Sequence, residues 1–205
     1  MTRIVVANPK GGVGKSTLST HIAGYFASQG HRVLLGDADV QQSSQLWLSL
    51  RPHSANPIGH WEVDPSDIGK PPKEASHVVL DTPAGLAGKQ LKEALKWANK
   101  VVVPLQASIF DIYATRSFLD ELAQSRHADR LDVGIVAMRV DERTLAADQL
   151  SAFVGSLDLP TVGTLRDTQN YVQLAANGLT IFDVASARME RDLAQWKSIC
   201  HWLDH

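Results

Sequence analysis

Short apolar runs alternate with longer helical patterns along the whole chain. Val-, Ile- and Leu-rich runs near 3–7, 32–37, 77–81, 100–104 and 133–138, with a shorter one around 160–164, lack the polar alternation of half-exposed strands. Such runs are the mark of strands buried on both faces. Between them, a period of 3.6 predicts helices over 16–29, 41–50, 86–97, 109–125, 145–156, 167–176 and 186–203. Strand followed by helix, repeated, predicts an α/β fold with a mostly parallel, twisted sheet and helices on both faces. There is no internal repeat and no low-complexity tail. A length of 205 residues suits a single domain over 1–205. Residues 51–76 break the rhythm with five of the nine prolines, so they are expected to be a compact connection holding one short strand near Gly59 to Val63. A surface for a partner protein is the other reading of that stretch.

The first junction carries the chemistry. Residues 8–17 read Asn-Pro-Lys-Gly-Gly-Val-Gly-Lys-Ser-Thr, between the apolar run Ile4-Val5-Val6-Ala7 and a predicted helix. A glycine-rich turn at that point exposes successive backbone N–H groups, and the helix N-terminus adds partial positive charge, so the junction is an anion cradle. Gly11, Gly12 and Gly14 let the backbone wrap phosphates without Cβ clashes. Lys15 is placed for the β- and γ-phosphates, Ser16 for Mg²⁺, and Thr17 extends the cradle towards the α-phosphate. The usual G-x-x-x-x-G-K-[ST] pattern fails at its first position, which is Pro9. A second lysine, Lys10, stands at the start of the loop instead.

This two-lysine loop, Lys10-Gly11-Gly12-Val13-Gly14-Lys15-Ser16, resembles that of the ParA/MinD family of deviant Walker ATPases, closest to its short single-domain members. The resemblance implies a P-loop NTPase fold, ATP and Mg²⁺ as ligands, and a sandwich homodimer in which Lys10 reaches the partner's nucleotide. Two acidic segments follow in the family's order. Asp37-Ala38-Asp39-Val40-Gln41 resembles the family's D-x-D-P-Q, with Val40 replacing proline. By that likeness Asp39 orients the attacking water and Asp37 supports the Mg²⁺ shell. Both also read as capping aspartates ahead of a helix. The run His77–Leu80 ending in Asp81 has the Walker-B form, whose carboxylate holds Mg²⁺ through water. Catalysis would then rest on Lys10, Lys15 and Asp39, and the metal on Ser16, Asp37 and Asp81. Val101–Ser108, with its Pro-x-Gln turn, and Asp141-Glu142-Arg143-Thr144 resemble further family segments. Arg139, beside Met138, and Arg166, beside Asp167, fall where the base pocket is expected.

Composition narrows the setting. Net charge is −2 and 44% of residues are hydrophobic, so the surface as a whole is no polyanion binder, although a local or dimer-assembled basic patch is compatible with it. A chain entering a strand at once leaves no room for a signal peptide, and the lone Cys200 suits a reducing cytoplasm. The resemblance implies slow hydrolysis stimulated by a ParB-like or cargo adaptor, non-specific DNA binding in the ATP state, and segregation of a plasmid, chromosome region or protein cargo on the nucleoid. A MinD-like, membrane-associated role is the alternative. Met189, Leu193, Trp196, Cys200 and Leu203 form a helical stripe near the end, read as core rather than membrane anchor, with Arg188, Arg191 and Lys197 as candidate DNA contacts. His201 and His205 lie i, i+4 with no third metal ligand beside them. The nitrogenase iron protein shares the fold class, but a single cysteine cannot hold its cluster, and dethiobiotin synthetase lacks a counterpart of Lys10.

Overall fold

The computed structural model describes residues 1–205 apart from Glu142, Asp158 and Ser186 and the side chains of residues 109–111. Glu142 of the Asp141–Thr144 stretch and Ser186, the first residue of the last predicted helix, therefore lie outside the described residues. Among the described residues, seven strands form one sheet: β1 (Thr2–Val6), β2 (Val33–Asp37), β3 (Gly59–Trp61), β4 (His77–Asp81), β5 (Lys100–Gln106), β6 (Asp132–Val140) and β7 (Thr161–Arg166). Their order is β3-β2-β4-β1-β5-β6-β7, and every pairing is parallel. Among the described residues there are seven α-helices: α1 (Lys15–Ser28), α2 (Ser43–Leu50), α3 (Gly88–Trp97), α4 (Ile109–Ala123) and α5 (Leu145–Gly155) connect strands, and α6 (Gln169–Ala175) and α7 (Glu190–Asp204) follow β7.

Strand alternation divides the apolar residues between two cores. Val5 on β1 and Ala7 just past its end face the layer of α3, α4 and α5, while Ile4 and Val6 face α1 and α7. Helix α1 is buried almost all round from Leu18 to Ala27, because the sheet lies on one side and α2, α6 and α7 on the other. The stripe on α7 is core, with Met189, Trp196 and Leu203 buried. Gly36 is required by a neighbour: a Cβ there would lie 2.6 Å from the Trp61 ring, which the β2–β3 register sets beside it.

Two strands run past their expected ends. Strand β5 continues through Pro104, although proline cannot donate to a ladder. Its pairing with β1 stops at Val102, so the missing N–H falls where no β1 partner is needed, and Asn8 takes the Pro104 carbonyl at 2.8 Å. Strand β6 continues to Val140 across an irregularity between Ala137 and Val140, where Arg139 adopts φ +52° and turns outward. The connection after α2 does hold one short strand, and Trp61, Val63, Ile68 and Ala75 plug it into the core.

The topology also places the ligand crevice. From β1 the chain moves towards β2, and from β5 it moves the other way, towards β6. Loops leaving neighbouring strands in opposite directions open a crevice at their C-terminal ends. Residues 8–14 occupy it.

His21 sets an acid limit on this packing. It is 1% exposed and its Nδ1 lies 2.9 Å from the Thr17 carbonyl, so Nδ1 carries the proton; Nε2 is buried without a hydrogen bond. Its ring stacks on Trp196. Burial lowers its pKa to about 4, against smaller opposing effects of the Thr17 carbonyl, Asp183 and Asp192. Because the folded value lies below the unfolded one, stability is complete above about pH 6.5 and falls as pH drops towards 4, by about 3 kcal/mol. Denaturant titrations at both pH values should show this loss reduced in His21→Phe; an unchanged loss would remove His21 as its source.

Candidate functional site

The phosphate loop is held by groups from three other parts of the chain. Asn8, 1% exposed, accepts the Lys10 N–H on Oδ1 at 2.8 Å and donates through Nδ2 to Pro104 O and Thr115 Oγ1. The Gly85 N–H donates to Pro9 O at 2.9 Å, and Gln106 Nε2 donates to Gly12 O at 3.0 Å. Thr82 Oγ1 closes on Val6 O at 2.8 Å, fixing the strand end from which the loop leaves. With the Pro9 and Gly12 carbonyls taken from outside, the loop keeps the N–H groups of Gly11 to Gly14 for an anion. Gly12 and Gly14 have φ of +75° and +100°, the left-handed region that side chains resist. A Cβ on Gly14 would also lie 2.7 Å from Met138 Cε.

Lys15 is 8% exposed and turns its ammonium back onto Lys10 O at 2.8 Å. Burial lowers its pKa, while Asp81 and Asp39 favour its charge. The backbone of Lys10 is thus clamped on both sides, through Asn8 and Lys15. Its own ammonium makes no hydrogen bond or ion pair to another described residue. Val13 is buried beneath the loop, and Ser16 and Thr17 form the first turn of α1.

The acidic residues divide by role. Asp37, 3% exposed, accepts the N–H groups of Asp39, Ser44 and Gln45 at 2.9, 2.8 and 3.1 Å, so it caps the start of α2. Burial raises its pKa against those three bonds. It reaches Asp81 through Ser44, whose hydroxyl donates to Asp81 Oδ2 at 2.6 Å. Asp81 is 1% exposed and its Oδ1 accepts no hydrogen bond. Burial raises its pKa to about 6; Ser16, acting from beyond bonding range, and Ser44 oppose the rise, Asp37 adds to it and Lys15 opposes it. A buried carboxylate oxygen with no donor, beside an ammonium and a serine hydroxyl, fits a hydrated divalent cation on a triphosphate. Asp39 is half-buried past the end of β2, with Oδ1 accepting the Gln41 N–H at 2.9 Å.

Neither base-pocket candidate is hydrogen-bonded to this cluster among the described residues. Arg139 is exposed. Arg166 lines a cavity of about 410 Å³ with Asp141, Arg143, Asp167 and Arg191. Its guanidinium is already engaged by buried Asp192, through Nε at 2.7 Å and Nη2 at 3.2 Å. Asn8, Ser44 and Gln106 are the site residues that reading the sequence missed. Of these, only Gln106 carried a signal, the Pro-x-Gln turn.

A strand–loop–helix cradle at the crevice of a parallel sheet, with an acid on the adjacent strand, defines a nucleotide-binding domain of the P-loop class. The chain belongs to the CobQ/CobB/MinD/ParA nucleotide-binding family, whose domain model matches residues 4–181. It is 32% identical over 185 residues to the chromosome-partitioning ATPase Soj of Thermus thermophilus, covering 73% of this chain and 74% of Soj. It is 24% identical to the maintenance of carboxysome distribution protein A of Halothiobacillus neapolitanus, covering 89% and 88% of the two chains. Among solved structures, the MinD cell division protein of Aquifex aeolicus superposes with a TM-score of 0.76 at 16% identity, over 100% and 98% of the chains, a likeness of fold.

Ser44→Ala should weaken Mg²⁺ binding in the presence of a non-hydrolysable ATP analogue by about 10- to 100-fold, as loss of a group that orients a metal-site carboxylate does. Nucleotide binding in a chelator should stay unchanged. A Mg²⁺ titration matching the unsubstituted protein would show that Ser44 only packs.

Proposed function

We propose that the protein is a ParA-like ATPase of one domain that binds ATP with Mg²⁺, closes as a sandwich homodimer, and positions DNA or protein cargo. The observation that carries this reading is Lys10: a loop lysine with its backbone fixed on both sides and its ammonium uncommitted among the described residues of its own chain. Further support comes from where apolar side chains reach the surface. Val40, Tyr113 and Leu145 are 75%, 69% and 81% exposed, and all three follow strand C-termini on the side of the phosphate loop. A second copy facing that side would cover them.

In this account Lys15 leaves the Lys10 carbonyl for the β- and γ-phosphates, and the Gly11–Thr17 N–H groups hold the remaining oxygens. Magnesium, when bound, would supply charge neutralisation on those phosphates, held by Ser16 and, through water, by Asp81, with Asp37 acting through Ser44. Asp39 orients the attacking water in line with the terminal phosphate and receives its proton as the P–O bond to ADP breaks. Lys10 adds positive charge from the neighbouring subunit. Loss of the terminal phosphate removes what the two Lys10 side chains bridge, so hydrolysis releases the dimer. Turnover is slow until an adaptor stimulates it, and the ATP dimer holds non-specific nucleoid DNA, with Arg188, Arg191 and Lys197 as its candidate contacts. The names of the Thermus and Halothiobacillus relatives support cargo positioning. A membrane role draws no support from α7, because its apolar stripe is already packed in the core, and no helix among the described residues is long and apolar enough to cross a membrane.

Lys15→Ala should weaken ATP binding about a hundredfold by calorimetry, the scale expected when one member of a desolvated charge pair is removed. Retained affinity would mean that the triphosphate binds elsewhere. Asp39→Ala should bind ATP, hydrolyse poorly and retard random-sequence DNA in gels with ATP but not ADP. Retardation independent of nucleotide would contradict the switch.

A further inference from the structure

We propose that the groove between α3 and the turn after α4 is a docking surface for an acidic polypeptide segment of a partner protein, separate from the nucleotide site. Lys89, Lys92 and Lys96 are exposed at i, i+3 and i+7, which puts them on one face of α3. Across from them, Arg126 lies in the turn after α4, and the two sides enclose about 800 Å³. Arg130, in the 3₁₀ turn Ala128–Arg130, donates to the Leu95 and Lys96 carbonyls and so ties the far wall to the end of α3. The groove is therefore a fixed shape rather than a loose array of lysines. Its lining carries four cations and two carboxylates, in a chain whose net charge is −2.

Two further observations bear on the occupant. His127 sits in the groove with Nε2 accepting from Arg126 Nε at 3.1 Å, and desolvation together with the Arg130, Arg126 and Lys96 charges lowers its pKa. The neighbouring cations thus add to desolvation in disfavouring a charged imidazole here. Glu93 gives the second. Its Oε1 pairs with Lys89 at 3.7 Å, while Oε2 is buried and accepts no hydrogen bond. A buried acceptor without a donor is costly, so a matching occupant brings an N–H as well as negative charge. A nucleic-acid backbone presents only acceptors and so offers Glu93 Oε2 no donor. An acidic peptide supplies carboxylates for the lysines and an amide for Glu93.

The position suits a partner that does not compete with nucleotide. Helices α3 and α4 cover the sheet face opposite α1, and Arg130 precedes the first residue of β6, at the end of the sheet remote from the phosphate loop. The proposal does not rest on ATP hydrolysis.

The test is fluorescence anisotropy with a labelled peptide of alternating Glu and Ala, using the full chain. A parallel titration uses labelled random-sequence duplex DNA. The peptide should bind with an affinity that falls with salt. Lys92→Glu/Lys96→Glu should weaken it about tenfold or more, near 1.4 kcal/mol, and Lys92→Arg/Lys96→Arg should restore it. ATP binding, measured on the same samples, should be unchanged in both and reports separately on the nucleotide site. Peptide binding equal in the charge-reversed variant, no peptide binding by the unsubstituted protein, or a loss confined to DNA would each overturn the proposal.

Discussion

A phosphate cradle must keep its N–H groups pointing at the ligand, and that leaves its carbonyls without partners of their own. Every other feature of this site answers that constraint. Pro9, Lys10 and Gly12 give their carbonyls to Gly85, Lys15 and Gln106, three groups from three different segments. Asn8 holds the amide of Lys10 and roots itself on Pro104 and Thr115. The loop is thereby built by β4, β5 and α4 as much as by its own glycines, and the parallel order of the strands brings those segments together. Backbone amides fixed in advance need no reorganisation when a phosphate arrives.

The acidic half of the site shows the same economy. Asp37 caps the first turn of α2, and in doing so sets Ser44 against Asp81. One oxygen of Asp81 is held and the other is left bare in a buried setting, which lifts its pKa to about 6. A carboxyl in that state favours a cation nearby. The bond from Lys15 to Lys10 O belongs to the same balance, since Lys15 is partly desolvated and flanked by Asp81 and Asp39.

Much of this was legible from residue order. The strand His77–Asp81 and the start of β5 at Lys100 fall where the apolar runs place them, because buried parallel strands carry an unbroken apolar signal. The loop and its two lysines were legible because their spacing is local. Asn8, Ser44 and the path of β5 through Pro104 were not, since each depends on a partner distant in sequence: Asn8 on Thr115, Ser44 on Asp81, and Pro104 on the point where β1 stops. For Asp37, both a metal-supporting and a capping role were readable, and the structure makes it the cap of α2. Arg166, the last residue of β7, was placed near the base pocket by family likeness, and its bidentate bond to Asp192 on α7 was not legible because no local pattern pairs the two.

The family places this chain among nucleotide-binding domains, and the proposed function adds that Lys10 completes the pocket of a neighbouring copy. The most direct measurement of that role is molecular mass by light scattering in ATP and Mg²⁺, comparing Asp39→Ala with Asp39→Ala/Lys10→Ala. The account predicts a dimer for the first and a monomer for the second, with both binding nucleotide. Equal dimer in the two, or monomer in both, would contradict the assignment of Lys10 to the neighbouring subunit.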